Sequence, residues 1–416
     1  MENCTNGYHT FSFFQKLTAI EWFELSIAFD EYRRKYNKIN KSPIEDEKKS
    51  DKPIGWEYAY KNRQGKGIRW QLFSIPVKNG FTIHGVMVII TPKVLLENDY
   101  FSAATERDLE KVADIFNREA ARISPILLDF GLCSVSRADP CVNINLNELD
   151  IDCSPEEILK LIKRGNIPNH YTKRKIYDKK SRRMVPEDDC FYLSSGSANF
   201  NCYLKNRQAK IKLKHLVNNS GFHNGVDLRF EMQLRYPALY STAKKVKEKS
   251  KYYKDADDIS FDEMREIMIK EIKNPSIPID IVFSEILSTN TIKKYFYKVA
   301  RKGDYFTLEG AKWMIGMHDF RRDKKDRLIK ALELTKKHQG IANAKSNLQD
   351  RQLEEYKKSL RDLDDILVNP ITIPRRWKPT HIPNPIRTYY EKTTDVIWDS
   401  KDIFFHELLK KLKTWI

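Results

Sequence analysis

The stretch Asn199-Phe200-Asn201-Cys202-Tyr203-Leu204-Lys205 alternates without a break, apolar at Phe200, Cys202 and Leu204 and polar at the four other positions. Successive side chains point to opposite faces of a β-strand, so this spacing predicts a strand with one apolar and one polar face. Asp227 to Tyr236 repeats the pattern, with Leu228, Phe230, Met232, Leu234 and Tyr236 set against Arg229, Glu231, Gln233 and Arg235. Ser136 to Leu146 sets Arg137, Asp139, Asn143 and Asn145 against Ala138, Val142, Ile144 and Leu146. Any antiparallel sheet with one wet face alternates in this way. The residue types carry more: Asn, Arg, Asp and a Tyr beside a Lys stand where wet strands usually place Thr, Lys and Glu. If the three strands are neighbours, Tyr203, Lys205, Arg229, Glu231 and Asp139 gather on one surface.

Outward from these strands, Thr18 to Tyr36 has helical spacing, and the Lys-rich Asn37 to Lys52 reads as a loop. Strand patterns at Ile68 to Val77 and Phe81 to Pro92 flank a hairpin signal at Lys78-Asn79-Gly80. Thr105 to Arg122 is an amphipathic helix, Cys133 to Leu146 a strand, and Ser154 caps a short helix through Lys163. Strands follow at Phe191 to Leu204 and Val226 to Tyr236. This order predicts an α+β domain built on a mainly antiparallel sheet. After Tyr240, Lys-rich helical patterns run from Ser260 to Leu367 with no convincing strand, and a Pro-rich tail leads to a helix over Asp402 to Leu412. The expected division is 1–243 for the α+β domain, 244–258 for a basic connector, 259–369 for a helical domain and 370–416 for the tail.

The chain has 416 residues, with 74 Lys and Arg against 57 Asp and Glu, a net charge of +17. Such an excess favours polyanionic partners, because each phosphate neutralised releases condensed counterions. The six cysteines form no CxxC pair, which argues against zinc-ribbon and thioredoxin chemistry. The absence of a signal-peptide pattern points to the cytoplasm, and apolar runs such as Gly85 to Ile90 are too short to span a membrane.

The polar collection on the three strands suits phosphodiester cleavage. A tyrosine hydroxyl attacks only when a base or cation helps remove its proton. Two carboxylates hold Mg²⁺ or Mn²⁺, which polarises the phosphoryl oxygen. A neighbouring Lys or Arg clamps the same phosphate and steadies the leaving oxygen.

The blocks Phe191 to Lys205 and Asp227 to Arg235, with Ser136-Arg137-Ala138-Asp139 before them, resemble the replication initiators of Gram-positive rolling-circle plasmids and the related relaxases of integrative conjugative elements, in particular a clostridial mobile-element branch. The resemblance covers Cys133 to Tyr240 and extends more loosely into the helical half. It implies an HUH-endonuclease-like sheet domain followed by a helical domain, with nicking of origin DNA by a tyrosine. The nucleophile falls on Tyr203, with Tyr177 of Ile176-Tyr177-Asp178-Lys179 as its rival, and the metal ligands on Asp139 and Glu231. Lys205 and Arg229 then steady the phosphate. The sequence departs from the pattern at Asn201, where the family has a basic residue. No His-hydrophobe-His pair occurs among the nine histidines, so His84 stands alone as a histidine ligand candidate.

DNA contacts are expected at Arg137, Arg235 and the basic loop Lys179, Lys180, Arg182 and Arg183, which tracks phosphates or is a solvated hairpin. A helix-turn-helix is expected between Asp304 and Ala344: Thr307 caps one helix, a turn with Gly316 follows, and a second helix from Asp323 carries Arg327 and Lys330. Expected partners are origin DNA, duplex and single-stranded, with a host helicase and self-association, and no membrane. A non-catalytic DNA-binding control protein of a mobile element is the alternative.

Overall fold

The computed structural model describes residues 4–36, 39–44, 54–62, 65–76, 82–97, 101–178, 183–185, 189–212, 225–243, 277 and 279–393. Its centre is a ten-stranded antiparallel sheet. In chain order the strands are β1 (Thr5–Leu17), β2 (Ile39–Ile44), β3 (Gly55–Asn62), β4 (Gly65–Pro76), β5 (Thr82–Ile90), β6 (Val135–Ile144), β7 (Thr172–Lys173), β8 (Ile176–Asp178), β9 (Arg183–Val185), β10 (Cys190–Ser194), β11 (Ala198–Leu204) and β12 (Leu228–Arg235). Across the sheet the order is β2-β3-β4-β5-β1-β6-β12-β11-β10-β7, while β8 and β9 form a separate ribbon. The three alternating strands β6, β12 and β11 are therefore direct neighbours. The α+β architecture with a large antiparallel sheet is as the alternation requires.

Several strands differ from the sequence reading: β3, β7, β8 and β9 appear where none was expected, and the strand expected over Phe191 to Leu204 is the hairpin β10–β11. Two further strands, β2 and β1, were also missed. β2 lies inside the expected loop, pairing Ile39 with Tyr60 at the sheet edge. Its Lys41 ammonium binds Asp30 at 2.8 Å and lies 4.6 Å from the Trp56 ring centroid. Lys-rich edge strands look like loops because lysine is what keeps an edge from pairing further. β1 was not anticipated at all, although it is the strand that joins both halves of the sheet, pairing β5 through Phe11–Leu17 and β6 through Thr5–Phe13. Its alternation is broken by a bulge: Tyr8 pairs with Pro140 and Phe11 with Ala138, so His9 and Thr10 together oppose Asp139. The rings show the shift directly. Tyr8 and Phe11, an odd number of residues apart, both pack on Phe283, at 4.7 and 5.4 Å between centroids.

Helices cover one face of the sheet. Phe29 of helix Ala19–Tyr36 stacks on Tyr58 at 4.5 Å, and Phe116 of helix Leu109–Ile123 meets Phe13 edge-on at 6.1 Å. Helix Glu285–Ala300 crosses the other half, with Phe296 edge-on to Phe230 at 5.0 Å. Each such ring, taken out of water, contributes about 1.5–3 kcal/mol. The expected hairpin turn Lys78-Asn79-Gly80, the connector 244–258 and the helix Asp402 to Leu412 lie outside the described residues.

The helical half holds helices Leu308–Met317 and Arg322–Lys337, with Thr307 capping the first through Gly310 N–H. Gly316 falls inside the first helix rather than in the turn, and the second begins at Arg322. A two-residue pairing of Tyr305–Phe306 with His381–Ile382 also appears where no strand was expected. No helix among the described residues is long and apolar enough to cross a membrane.

Candidate active site

The face of the sheet opposite those helices carries the polar residues of β1, β6, β12 and β11. Register places Tyr203 opposite Arg229, Asn201 opposite Glu231, and Glu231 opposite Cys141. The Tyr203 hydroxyl lies 3.3 Å from Glu231 Oε2. Only 5% of Tyr203 is exposed, yet it is absent from the continuous hydrophobic core that includes its neighbours Cys202 and Leu204. Alternation thus does what the sequence predicts, turning the phenol away from the packed face.

His9, Asp139 and Glu231 form a cluster whose ligand atoms all lie within 4.8 Å of one another. His9 Nδ1 is 4.0 Å from Glu231 Oε2 and 2.9 Å from the Thr10 hydroxyl. Asp139 is fully buried and takes two hydrogen bonds from Arg137, Nε at 2.9 Å and Nη2 at 2.5 Å. Burial pushes its pKa up to about 7, helped by Glu231 and opposed by Arg137. A carboxylate has about four lone-pair sites, so two remain on Asp139 beyond those Arg137 fills. Two carboxylates and an imidazole form a donor set that fits a divalent cation of the Mg²⁺ or Mn²⁺ kind.

Sequence reasoning found both acids but missed His9. The His84 expectation is corrected: this residue pairs with Leu17 at the far end of β1, roughly 25 Å from His9 at strand spacing. Its ring lies 5.8 Å from that of Trp22. The signal for His9 was its place in a strand, and the bulge hid that strand.

Arg229 is wholly buried, and its guanidinium ties the site to a covering segment. It donates to Asn143 Oδ1 at 2.6 Å, Phe101 O at 2.8 Å and Ser102 O at 3.0 Å. Nη1 is buried with no acceptor among the described residues, as is the Asn201 oxygen with no donor. Burial pulls the Arg229 pKa down, but Tyr203, Cys141 and Glu231 outweigh it and the net shift is upward. Gly7 lets the covering segment approach, since a Cβ there would stand 2.2 Å from Ala104 O. Lys205 opens helix Lys205–Lys212; it is buried, bonds Gln208 Oε1 at 3.3 Å and lies 5.8 Å from the Tyr203 ring centroid.

Among the expected DNA contacts, Arg137 and exposed Arg235 face each other across β6 and β12, with Arg235 also donating to Gly196 O at 3.1 Å. Arg327 instead turns inward, pairing with Asp362 at 2.6 Å, while Lys330 is exposed on the same helix. Tyr177 lies in β8, on the ribbon apart from the main sheet, and Arg183 opens β9. Lys179, Lys180 and Arg182 lie outside the described residues.

No protein-family model and no curated protein matches the chain. Among solved structures it is similar to the rolling circle replication initiator protein from Geobacillus stearothermophilus, at 12% identity and a TM-score of 0.25, over 58% of this chain and 77% of that one.

Proposed function

We propose that this chain is a rolling-circle replication initiator, or a related relaxase, that nicks single-stranded origin DNA by attack of Tyr203. The observation that carries this reading is the phenol 3.3 Å from Glu231, an acid shared with the His9–Asp139–Glu231 cluster. The sequence resemblance of β11 and β12 to such initiators supports it, as does the net charge of +17.

Tyr203 oxygen attacks the phosphorus, and the bond from phosphorus to the departing sugar oxygen breaks. The phenolic proton passes to Glu231 Oε2, 3.3 Å away, and a proton returns to the departing oxygen. The product is a phosphotyrosine ester that keeps the linkage available for religation. A divalent cation held by His9, Asp139 and Glu231 would polarise the phosphoryl oxygen. Arg229 sets fixed positive charge beside the phenol, and Arg137 and Arg235 on the open face hold flanking phosphates. This arrangement of a sheet-borne histidine, acids and tyrosine supports an HUH-endonuclease-like reading of the sheet domain.

A second reading, a DNA-binding control protein without catalysis, draws on the low exposure of Tyr203 at 5%. One experiment separates the two. The protein is incubated with a randomised single-stranded DNA library and Mn²⁺, and covalent adducts are mapped by mass spectrometry. An adduct on Tyr203 supports nicking; DNA retention without any adduct supports the control protein, and an adduct on Tyr177 moves the nucleophile.

A further inference from the structure

A cavity of about 400 Å³ lies away from the acids and the tyrosine, where three segments of the fold meet. One wall is Arg164, which caps the C-terminal end of helix Pro155–Lys163. The second is the end of helix Arg322–Lys337 with the turn after it, and the third is the stretch Ile371 to Arg376. Helix Pro155–Lys163 packs on β10 and β11, and its Lys163 acts electrostatically on Cys202, which faces the helix layer. The cavity is thus on the far side of the sheet from Tyr203.

Its charge is one-sided. Arg164, Lys336, Arg375 and Arg376 line it, and no Asp or Glu does. None of the four makes an ion pair among the described residues. Three other arginines in this half are neutralised: Arg301 by Asp364, Arg327 by Asp362 and Arg387 by Asp304. Arg164 is half-buried, and burial, then the charge of Arg376, pushes its pKa down. The carbonyl ends of two helices offset only part of the repulsion among these cations, and an anion between them lowers the rest.

Backbone hydrogen bonds tie the walls to their neighbours. Ile341 N–H donates to Arg164 O at 2.9 Å, and Ile373 N–H to Phe306 O at 2.8 Å. Gly340 adopts φ +149°, and a Cβ there would stand 2.6 Å from Arg164 O, so the join between two walls needs glycine. Buried Ile371 and Ile373 supply apolar lining next to the cations. A volume at the lower end of the range for small-ligand pockets suits one nucleotide.

We propose that this cavity binds a nucleotide, with Arg164, Arg376, Arg375 and Lys336 on its phosphate and the isoleucines against its sugar or base. The nucleotide is either free or one unit of a DNA strand, and the two sources share this chemistry. The test titrates the full chain, in EDTA so that the metal cluster is silent, with a fluorescent adenosine triphosphate analogue and separately with labelled oligo-dT of twelve residues. Losing one charged hydrogen-bond donor weakens binding about tenfold. Such a loss in R164Q and R376Q for the triphosphate assigns a free nucleotide; the same loss for oligo-dT alone assigns a strand. Thermal melting checks both variants, and exposed Arg376 carries the test if R164Q melts early. Affinities for both probes that are unchanged in R376Q, or no binding of either probe by the unaltered chain, overturn the proposal. Because Tyr203 and the cation play no part in these titrations, that failure is distinct from a failure of the nicking reading.

Discussion

The hydroxyl of Tyr203 reaches diagonally across the β11–β12 ladder to Oε2 of Glu231 at 3.3 Å, past Arg229, its register partner. Diagonal neighbours in a sheet lie within reach of long side chains, and here the longer reach selects the acid. Tyr203→Phe removes the proposed nucleophile and the 3.3 Å hydrogen bond to Glu231. Covalent capture of single-stranded DNA is lost, while DNA affinity stays within about twofold and stability falls by no more than about 1 kcal/mol. An adduct that survives in Y203F, read on a denaturing gel, rules out this tyrosine.

His9 is expected to hold metal and His84 is not. His9→Ala should weaken Mn²⁺ binding by at least about tenfold, the effect seen even for partners one step removed from a metal. His84→Ala should leave it unchanged. Titration calorimetry or Mn²⁺ paramagnetic resonance reads both, and equal affinities for H9A and the unaltered chain would remove His9 from the ligand set.

Arg229 offers a stability test. Arg229→Met removes the charged hydrogen bonds to Ser102 O and Asn143 Oδ1 and leaves Phe101 O with its bond from Asn143 Nδ2. The loss should be about 2–4 kcal/mol in urea unfolding at unchanged slope. A change under about 0.5 kcal/mol would show that the covering segment is held by other contacts.

Asp304 carries a pH dependence. It accepts from Arg387 Nη2 at 2.5 Å, Asn384 N at 2.8 Å and His381 Nε2 at 2.9 Å. Burial raises its pKa, but Arg387 and His381 outweigh burial and hold it well below the ordinary 3.8. With the folded value depressed, its contribution is fully present above the unfolded value and is lost as pH falls below about 4 towards the folded one. Asp304→Asn removes the carboxylate that neutralises buried Arg387, and should cost about 3–5 kcal/mol at neutral pH. The difference from the unaltered chain should narrow below about pH 4; unfolding midpoints that differ equally at pH 7 and pH 3 would contradict the assignment.

Much of the sheet could be read directly from residue order. β6, β11 and β12 are long enough for alternation to show, and their alternation put Asp139, Tyr203 and Glu231 on a common face once the strands proved adjacent. β1 could not be read, because an extra residue at His9–Thr10 breaks the period that identifies a strand. The histidine was lost with it. His84 shows the converse: a histidine in a legible strand says nothing about which end of the sheet it will occupy. Arg229 and Arg327 were read as phosphate contacts from their charge, but burial and the acceptors around them, at Phe101, Ser102 and Asp362, depend on long-range packing.

The order in which the sheet is filled sets when the cluster can exist. Of the ten strands of the sheet, β1 is synthesised first and carries His9, whereas Glu231 rides on β12, the last of them. β12 must then enter between β6 and β11 rather than add to an outer edge. A nascent chain therefore lacks the complete His9–Asp139–Glu231 cluster until that insertion is made. Contacts this distant in sequence form slowly, so the cluster comes together late in the assembly of the sheet.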